Sequence, residues 1–327
     1  MHILIIGAAG MVGSKLTAAL LAGGAIGTRP IEKLTLADIV APDAPQTPIP
    51  CTALATDLSM PGAAEKLIAT RPDLIFHLAA IVSGEAEADF DKGYAINLDG
   101  TRLLLEAIRQ AGATEPYCPR LVFTSSIAVF GTPLPAAIPD DMDHTPLTSY
   151  GTQKAICELL LADYSRRGFV DGIGIRLPTI VVRPGKPNKA ASGFFSGIIR
   201  EPLNGQEAIL PVDESVRHWF ASPRAAIGFL LHAATLDTEP LGQRRTLSMP
   251  GVSATIADEI AALEKFGGAR ATSLIRREHD ETIARIVAGW PQNFDTQRAL
   301  ALGFVAEASF EDIVRVYIED ELGGQIS

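Results

Sequence analysis

The chain of 327 residues has 28 basic and 38 acidic side chains, a net charge of −10 that repels phosphate backbones and disfavours nucleic acid as a partner. At 47% hydrophobic and 20% charged, it is an ordinary globular composition, long enough for one large or two modest domains. The three cysteines (Cys51, Cys118, Cys157) and six histidines match no metal or disulfide pattern, so free thiols in a reducing cytoplasm and no protein-held metal are expected.

In chain order, "HILII" (2–6) reads as a strand and "MVGSKLTAALLAGG" (11–24) as a helix ending at glycines. The opening segment lacks a basic leader and a cleavage pattern, so no signal peptide is expected. The uncharged run 16–28 is too short and too glycine-rich to span a bilayer, and no membrane partner is expected. Strands follow at 33–38, 72–80, 120–126 and 172–177, with helices at 62–70, 94–112 and 148–168. Strand and helix in alternation, with continuous apolar strands, imply an α/β fold built on a parallel sheet with helical crossovers. After about residue 178 the pattern loosens. The segment 182–197 reads as a loop leading into a helix, and further helices are expected at 222–235, 255–266 and 309–321. The expected division is a first domain over 1–177 and a smaller one over 178–327, with some later segments returning to the first.

"GAAGMVG" places Gly7, Gly10 and Gly13 after a strand and at the opening of a helix. Such a loop aims backbone N–H groups and the helix dipole at a pyrophosphate, which makes Gly7, Gly10, Met11, Val12 and Gly13 candidate dinucleotide contacts. Asp38 ends the second strand, 25 residues past Gly13. An acid there accepts hydrogen bonds from an adenosine ribose and repels a 2′-phosphate, favouring NAD over NADP. The plainer alternative for Asp38 is a turn-forming aspartate.

"SYGTQK" (149–154) sets Tyr150 and Lys154 four residues apart, one helical turn, on one face. Alone that spacing means little. With the GxxGxxG loop, however, the chain resembles the extended short-chain dehydrogenase/reductases, and further motifs follow in order: Asp57-Leu58, "HLAA" (77–80), "NLDGT" (97–101), "TSSIAVFG" (124–131), "YGTQK" (150–154) and "RLPTIVVRPG" (176–185). The resemblance implies a Rossmann doubly wound sheet with a smaller C-terminal substrate-binding domain, and NAD as cofactor. It also implies cofactor contacts from Asp57, Leu58, Leu78, Ala79, Ala80, Asn97, Tyr150, Lys154, Leu177, Pro178 and Thr179. Ser126 falls in the catalytic serine position, and Phe130 stands where Tyr is common. Because side chains alternate along a strand, Ser125 and Ser126 are not expected to share a site.

The implied chemistry is hydride transfer from a carbinol carbon, with a phenolate at Tyr150 removing the hydroxyl proton. Bringing a phenol from its usual pKa near 10 to about 7 requires about 4 kcal/mol of preferential stabilisation. A cationic Lys154 contributes to that, and Ser126 holds the substrate oxygen in line. Three stretches, 81–94, 183–197 and 213–223, are similar to those of members that oxidise C2 of a four-carbon sugar acid with NAD. For such a substrate Arg217 is the candidate carboxylate clamp, or else a surface ion-pair residue; Arg183 and Lys189 are weaker candidates. Ser83 and Asn188 are candidate hydroxyl contacts, Ser126 and Tyr150 touch the reacting oxygen, and Phe194, Phe195 and Trp219 are read as packing. His218 is read as a polar rim residue without a proton-transfer role. The alternatives are a uronate or nucleotide-sugar dehydrogenase or epimerase, and, from another class, a non-catalytic NAD-sensing regulator. The resemblance further implies a helix-mediated homodimer.

Overall fold

The computed structural model describes residues 1–185 and 191–326. Asn188 and Lys189 lie outside the described residues. Six strands of the central sheet are β1 (His2–Ile6), β2 (Lys33–Asp38), β3 (Cys51–Ala55), β4 (Leu74–His77), β5 (Arg120–Ser126) and β6 (Asp171–Leu177). The seventh is Thr246–Ser248, and the spatial order is Thr246–Ser248, β6, β5, β4, β1, β2, β3. The pairings β1–β2, β1–β4, β2–β3 and β4–β5 are parallel. Ile3, Leu4 and Ile5 of β1 and Ile75 and Phe76 of β4 are fully buried, as strands covered on both faces must be. The strand order reverses between β1 and β4, and their carboxyl ends form the crevice where such sheets bind ligands.

β3 escapes sequence reading because "CTALA" is a half-exposed edge with no apolar periodicity. The helix expected over 94–112 is also not uniform. Tyr94–Asp99 forms a wider π-helical turn, and the regular helix α2 runs Gly100–Thr114. Such turns are often found beside functional sites, and this one carries Asn97.

The chain forms two compact units. The first comprises 1–129, 148–176 and 227–247; the second comprises 130–147, 177–226 and 248–327. The chain therefore leaves the first unit at 130, returns to it at 148, and returns once more at 227. The second unit contains a small sheet of Thr179–Ile180, Arg217–Ala221 and Val252–Thr255. Its core gathers Phe195, Phe220, Ile256 and Val314. Arg217–Ala221, read from sequence within a distinctive stretch, is a strand buried from His218 onward. Among the described residues no helix is long and apolar enough to cross a membrane.

One buried charge position in the second unit is costly. Glu259 shares the buried face of helix Ile256–Thr272 with Ile256 and Leu263, and neither carboxyl oxygen has a hydrogen-bond partner among the described residues. Burial pushes its pKa well above the usual carboxyl value, and the neighbouring Asp258 charge adds to this. Above the unfolded pKa the unfolded chain releases a proton that the folded chain keeps, so this residue's contribution to stability falls as pH rises until the folded pKa is reached. Glu259→Gln is therefore expected to raise the melting temperature, by more at pH 8 than at pH 5. Calorimetry at the two pH values checks this; equal gains at both would show that the carboxyl does not titrate differently in the fold.

Candidate active site

The glycine loop is built for close backbone approach. Gly7 follows β1 with φ of 93°, and a Cβ there would lie 2.6 Å from the Ala79 nitrogen. The Gly7 and Ala8 amides donate to the Ala37 carbonyl at 2.8 and 3.2 Å, tying the loop to the end of β2. Helix α1 (Met11–Gly23) packs its start onto the same loop, where a Cβ on Gly13 would meet the Gly7 oxygen at 2.2 Å. Gly10 is the N-cap and offers no side chain to the first turn, which also lacks acidic residues. The amides of Met11, Val12 and Gly13 thus form an uncapped helix N-terminus suited to an anion.

Asp38, the candidate ribose contact, ends β2. Its two carboxylate oxygens accept the Ala9 and Ile39 amides at 2.9 and 2.7 Å. One bond to each oxygen holds the carboxylate in place and leaves lone pairs for a ribose diol. Asp57 accepts the Ser59 amide and hydroxyl at 2.9 and 2.6 Å, shaping its own turn. Leu58 is buried 3.5 Å from the position of a Cβ on Gly100. Leu78 and Ala79 donate their amides to the Ile6 carbonyl at 2.8 and 3.0 Å, so 78–80 run across the carboxyl end of β1. A glycine cradle that a Cβ would fill, an uncapped helix start and a carboxylate at the strand end fit a dinucleotide.

Asn97 is held by its neighbours. Its Oδ1 accepts the Ile81 amide at 2.9 Å, and its Nδ2 donates to the Ile81 carbonyl and to Gln153 Oε1 at 3.2 and 2.7 Å. Both amide hydrogens and one lone pair of the oxygen are engaged, so Asn97 fixes the segment after Ala80.

The candidate reacting groups lie on β5 and helix α3 (Ser149–Arg166), whose start is capped by Thr148 accepting the Gly151 amide at 3.0 Å. Lys154 is buried, and its ammonium donates to the Thr124 carbonyl at 2.7 Å. The ammonium lies 4.7 Å from the Phe123 ring centroid and 5.8 Å from that of Tyr150. Burial lowers the Lys154 pKa to about 8, against the opposing pull of Cys157 and Glu158. Tyr150 is half-buried in the first turn of the same helix. Ser126, also half-buried, accepts the Ala128 amide at 3.1 Å. Ser125 faces the other way and is buried, donating to Glu158 at 2.5 Å, as strand alternation requires.

Behind Lys154 stands a histidine that sequence reading missed, because it ends an apolar strand and reads as core. His77 is buried, and desolvation together with Lys154 lowers its pKa to about 3. Its Nε2 lies 2.8 Å from Thr101 Oγ1, whose own proton goes to the Asn97 carbonyl at 2.8 Å. Nε2 therefore carries the hydrogen of a neutral ring, and His77 adds no second positive charge beside Lys154.

The substrate candidates divide between the units. Ser83, in the first, opens the short helix Ser83–Ala88 and is half-buried, with no side-chain bond among the described residues. Arg217, in the second, donates through Nη1 to the Ser253 carbonyl at 3.0 Å, with Nε and Nη2 making no hydrogen bond among the described residues. Arg183 uses Nε on the Ile180 carbonyl at 2.9 Å, which bends its side chain back on its own turn. Leu177, Pro178 and Thr179 lead into the strand that pairs with Arg217–Ala221, with Thr179 opposite Phe220. His218 is not a rim residue. Strand alternation turns it away from Arg217 into the core, stacked on Phe195 at 5.2 Å, and desolvation lowers its pKa to about 3. Its Nε2 sits 2.6 Å from Thr179 Oγ1. Trp219 donates its indole N–H to the Met249 carbonyl at 3.2 Å, while Phe194 and Phe195 pack together at 4.1 Å.

The model of the NAD dependent epimerase/dehydratase family matches residues 3–239. The chain is 48% identical to a D-erythronate dehydrogenase of Cupriavidus necator, over 98% of each chain. It is 43% identical to one of Haemophilus influenzae, over 98% of this chain and all of that one. A solved structure described as a nucleoside-diphosphate-sugar epimerase from Agrobacterium tumefaciens is 65% identical with a TM-score of 0.98, covering 100% of this chain and 96% of that one. The chain thus belongs to the NAD-dependent epimerase/dehydratase family of enzymes.

Proposed function

We propose that the protein is an NAD-dependent dehydrogenase that oxidises the C2 hydroxyl of a small sugar acid, D-erythronate, to 2-dehydro-D-erythronate. The observation that carries this reading is the full-length similarity to two dehydrogenases named for that substrate. The glycine loop, Asp38 and the candidate proton-handling groups belong to the first unit, and Arg217 belongs to the second. When bound, NAD supplies the hydride acceptor. Ser126 Oγ orients the substrate hydroxyl, and the Tyr150 phenolate takes its proton. Lys154, held by Thr124, keeps a positive charge beside the phenol ring and favours the phenolate. Burial leaves that charge conditional on pH, since the ammonium loses its proton near pH 8. Arg217 presents its unspent Nε and Nη2 to the substrate carboxylate, and Ser83 binds a hydroxyl. The protein works in the cytoplasm as a homodimer formed through helices, a reading that rests on family resemblance.

A panel of C4 to C6 sugar acids with NAD and with NADP, followed by NADH or NADPH absorbance, tests the assignment. Erythronate with NAD is expected to turn over fastest, and NADP poorly, because Asp38 repels a 2′-phosphate. A uronate that reduces NAD while erythronate does not would replace the substrate. The description of the Agrobacterium structure favours a second reading, a nucleotide-sugar epimerase. That activity would interconvert UDP-hexoses without net NADH release.

A further inference from the structure

Directly behind the serine–tyrosine–lysine arrangement lies a buried polar network. Glu158 sits on α3 one turn past Lys154 and two turns past Tyr150. Its Oε1 accepts the Ser125 hydroxyl at 2.5 Å. Arg176, near the end of β6, clamps the carboxylate through Nε at 3.0 and 3.1 Å and through Nη2 at 2.8 Å. The side chains of Arg176 and Glu158 are only 6% and 3% exposed.

Stability is a weak reason for such a pair. Desolvating two charges costs several kcal/mol, and apolar side chains of similar volume commonly serve as well or better. What the pair supplies is registry. Glu158 ties the helix carrying Tyr150 and Lys154 to the residue adjoining Ser126 on β5, and ties both to β6. A bidentate guanidinium–carboxylate pair is planar and directional, so it fixes rotation of the helix about its axis as well as its distance from the sheet. Proton removal requires that registry, because misplacement by about 1 Å can cost about 10²-fold in rate. The Glu158 carboxylate also acts on the Lys154 ammonium from within the same helix and opposes the effect of burial on it.

We propose that Glu158 is a positioning residue for the reaction, holding Ser126 in register with Tyr150 and Lys154 through Ser125 and Arg176. The inference rests on the reading of Ser126, Tyr150 and Lys154 as the reacting groups. The ionisable groups around it are Lys154 and Cys157 on the same helix and Arg176 on β6, with His77 on the far side of Lys154.

The test compares Glu158→Gln, Glu158→Asp, Ser125→Ala and Tyr150→Phe in the full chain with NAD and the fastest acid of the panel. Melting temperature and NAD affinity are measured in parallel. Glu158→Gln keeps the volume but loses the charge. It is expected to lower kcat about 10- to 100-fold, leave NAD affinity within about twofold, and move the Lys154 limb of the pH profile to lower pH. Glu158→Asp keeps the charge and retracts it by one methylene, so the limb stays in place while kcat still falls. Ser125→Ala removes only the link to β5 and is expected to lower kcat several-fold at an unchanged melting temperature, which keeps the test available if the Glu158 variants fail to fold. Normal kcat and pH profile in Glu158→Gln, or in Ser125→Ala where the former is unfolded, overturn the inference. If Tyr150→Phe itself turns over normally, the reading of the reacting groups fails instead, whatever Glu158 does.

Discussion

Tyr150→Phe is expected to lower kcat by about 10² to 10⁴-fold, the contribution of a positioned proton acceptor, with little change in NAD affinity. The substitution removes one oxygen and leaves the ring that lies 5.8 Å from the Lys154 ammonium. Cofactor affinity is expected to survive because the features that fit the pyrophosphate and ribose are the glycine loop, the start of α1 and Asp38. A parallel loss of kcat and kcat/KM marks an interaction realised in the transition state. Steady-state NADH formation together with NAD titration by fluorescence checks both halves. Turnover within tenfold of the parent would sink the assignment of Tyr150 as base, and loss of NAD binding would show that the hydroxyl's implied cofactor contact carries much of the affinity. The pH dependence carries a further expectation. Lys154 deprotonates near pH 8, so the support its charge gives to the phenolate fades above that pH and an alkaline decline of kcat should follow.

How much of this was legible in the sequence depends on the range of the interactions. The β1–loop–α1 unit was readable because its cause is local. A run of buried Ile and Leu makes the strand, and three glycines make the turn. Tyr150 and Lys154 were readable from helical spacing only with other motifs in view. Glu158 was within reach, since it continues the same four-residue spacing, but its partners Ser125 and Arg176 lie 33 and 18 residues away, and nothing local announces them. His218 was misplaced because a His beside an Arg in a stretch rich in polar residues reads as rim. Strand pairing with Val252–Thr255 turns that pair to opposite faces, and only the tertiary cluster of Phe195, Phe220 and Trp290 shows where the imidazole goes. Asn97 is read by resemblance as a cofactor contact, and its three bonds to Ile81 and Gln153, which spacing does not announce, also tie down the chain after Ala80. A return of later segments to the first unit is expected from sequence without bounds, whereas its place at 227–247 and the excursion at 130–147 are matters of packing rather than of composition.

The second large effect is expected in the glycine loop, where two alanine substitutions should separate folding from binding. At Gly13 a Cβ would stand 2.2 Å from the Gly7 oxygen and 2.7 Å from the Ala8 Cα, both backbone atoms that cannot rotate away. Gly13→Ala must push α1 off the loop, and overpacking of that kind costs about 1–3 kcal/mol or more. The apo protein should melt several degrees lower, and NAD affinity should drop by at least about tenfold, because the first-turn amides move with the helix. At Gly10 the nearest atom to a Cβ is the Gly7 oxygen at 3.5 Å, an ordinary contact, and φ is −69°. Gly10→Ala should therefore cost the apo protein no more than about 1 kcal/mol, mostly through a poorer N-cap. Its NAD affinity should still fall, because the methyl group stands where the backbone must approach the pyrophosphate. Thermal denaturation without NAD, paired with NAD titration, distinguishes the two. Native NAD affinity in Gly10→Ala would mean that the pyrophosphate does not rest on the start of α1. An undisturbed melting temperature in Gly13→Ala would mean that the helix can move off the loop at no cost, and the packing argument for the third glycine would be lost.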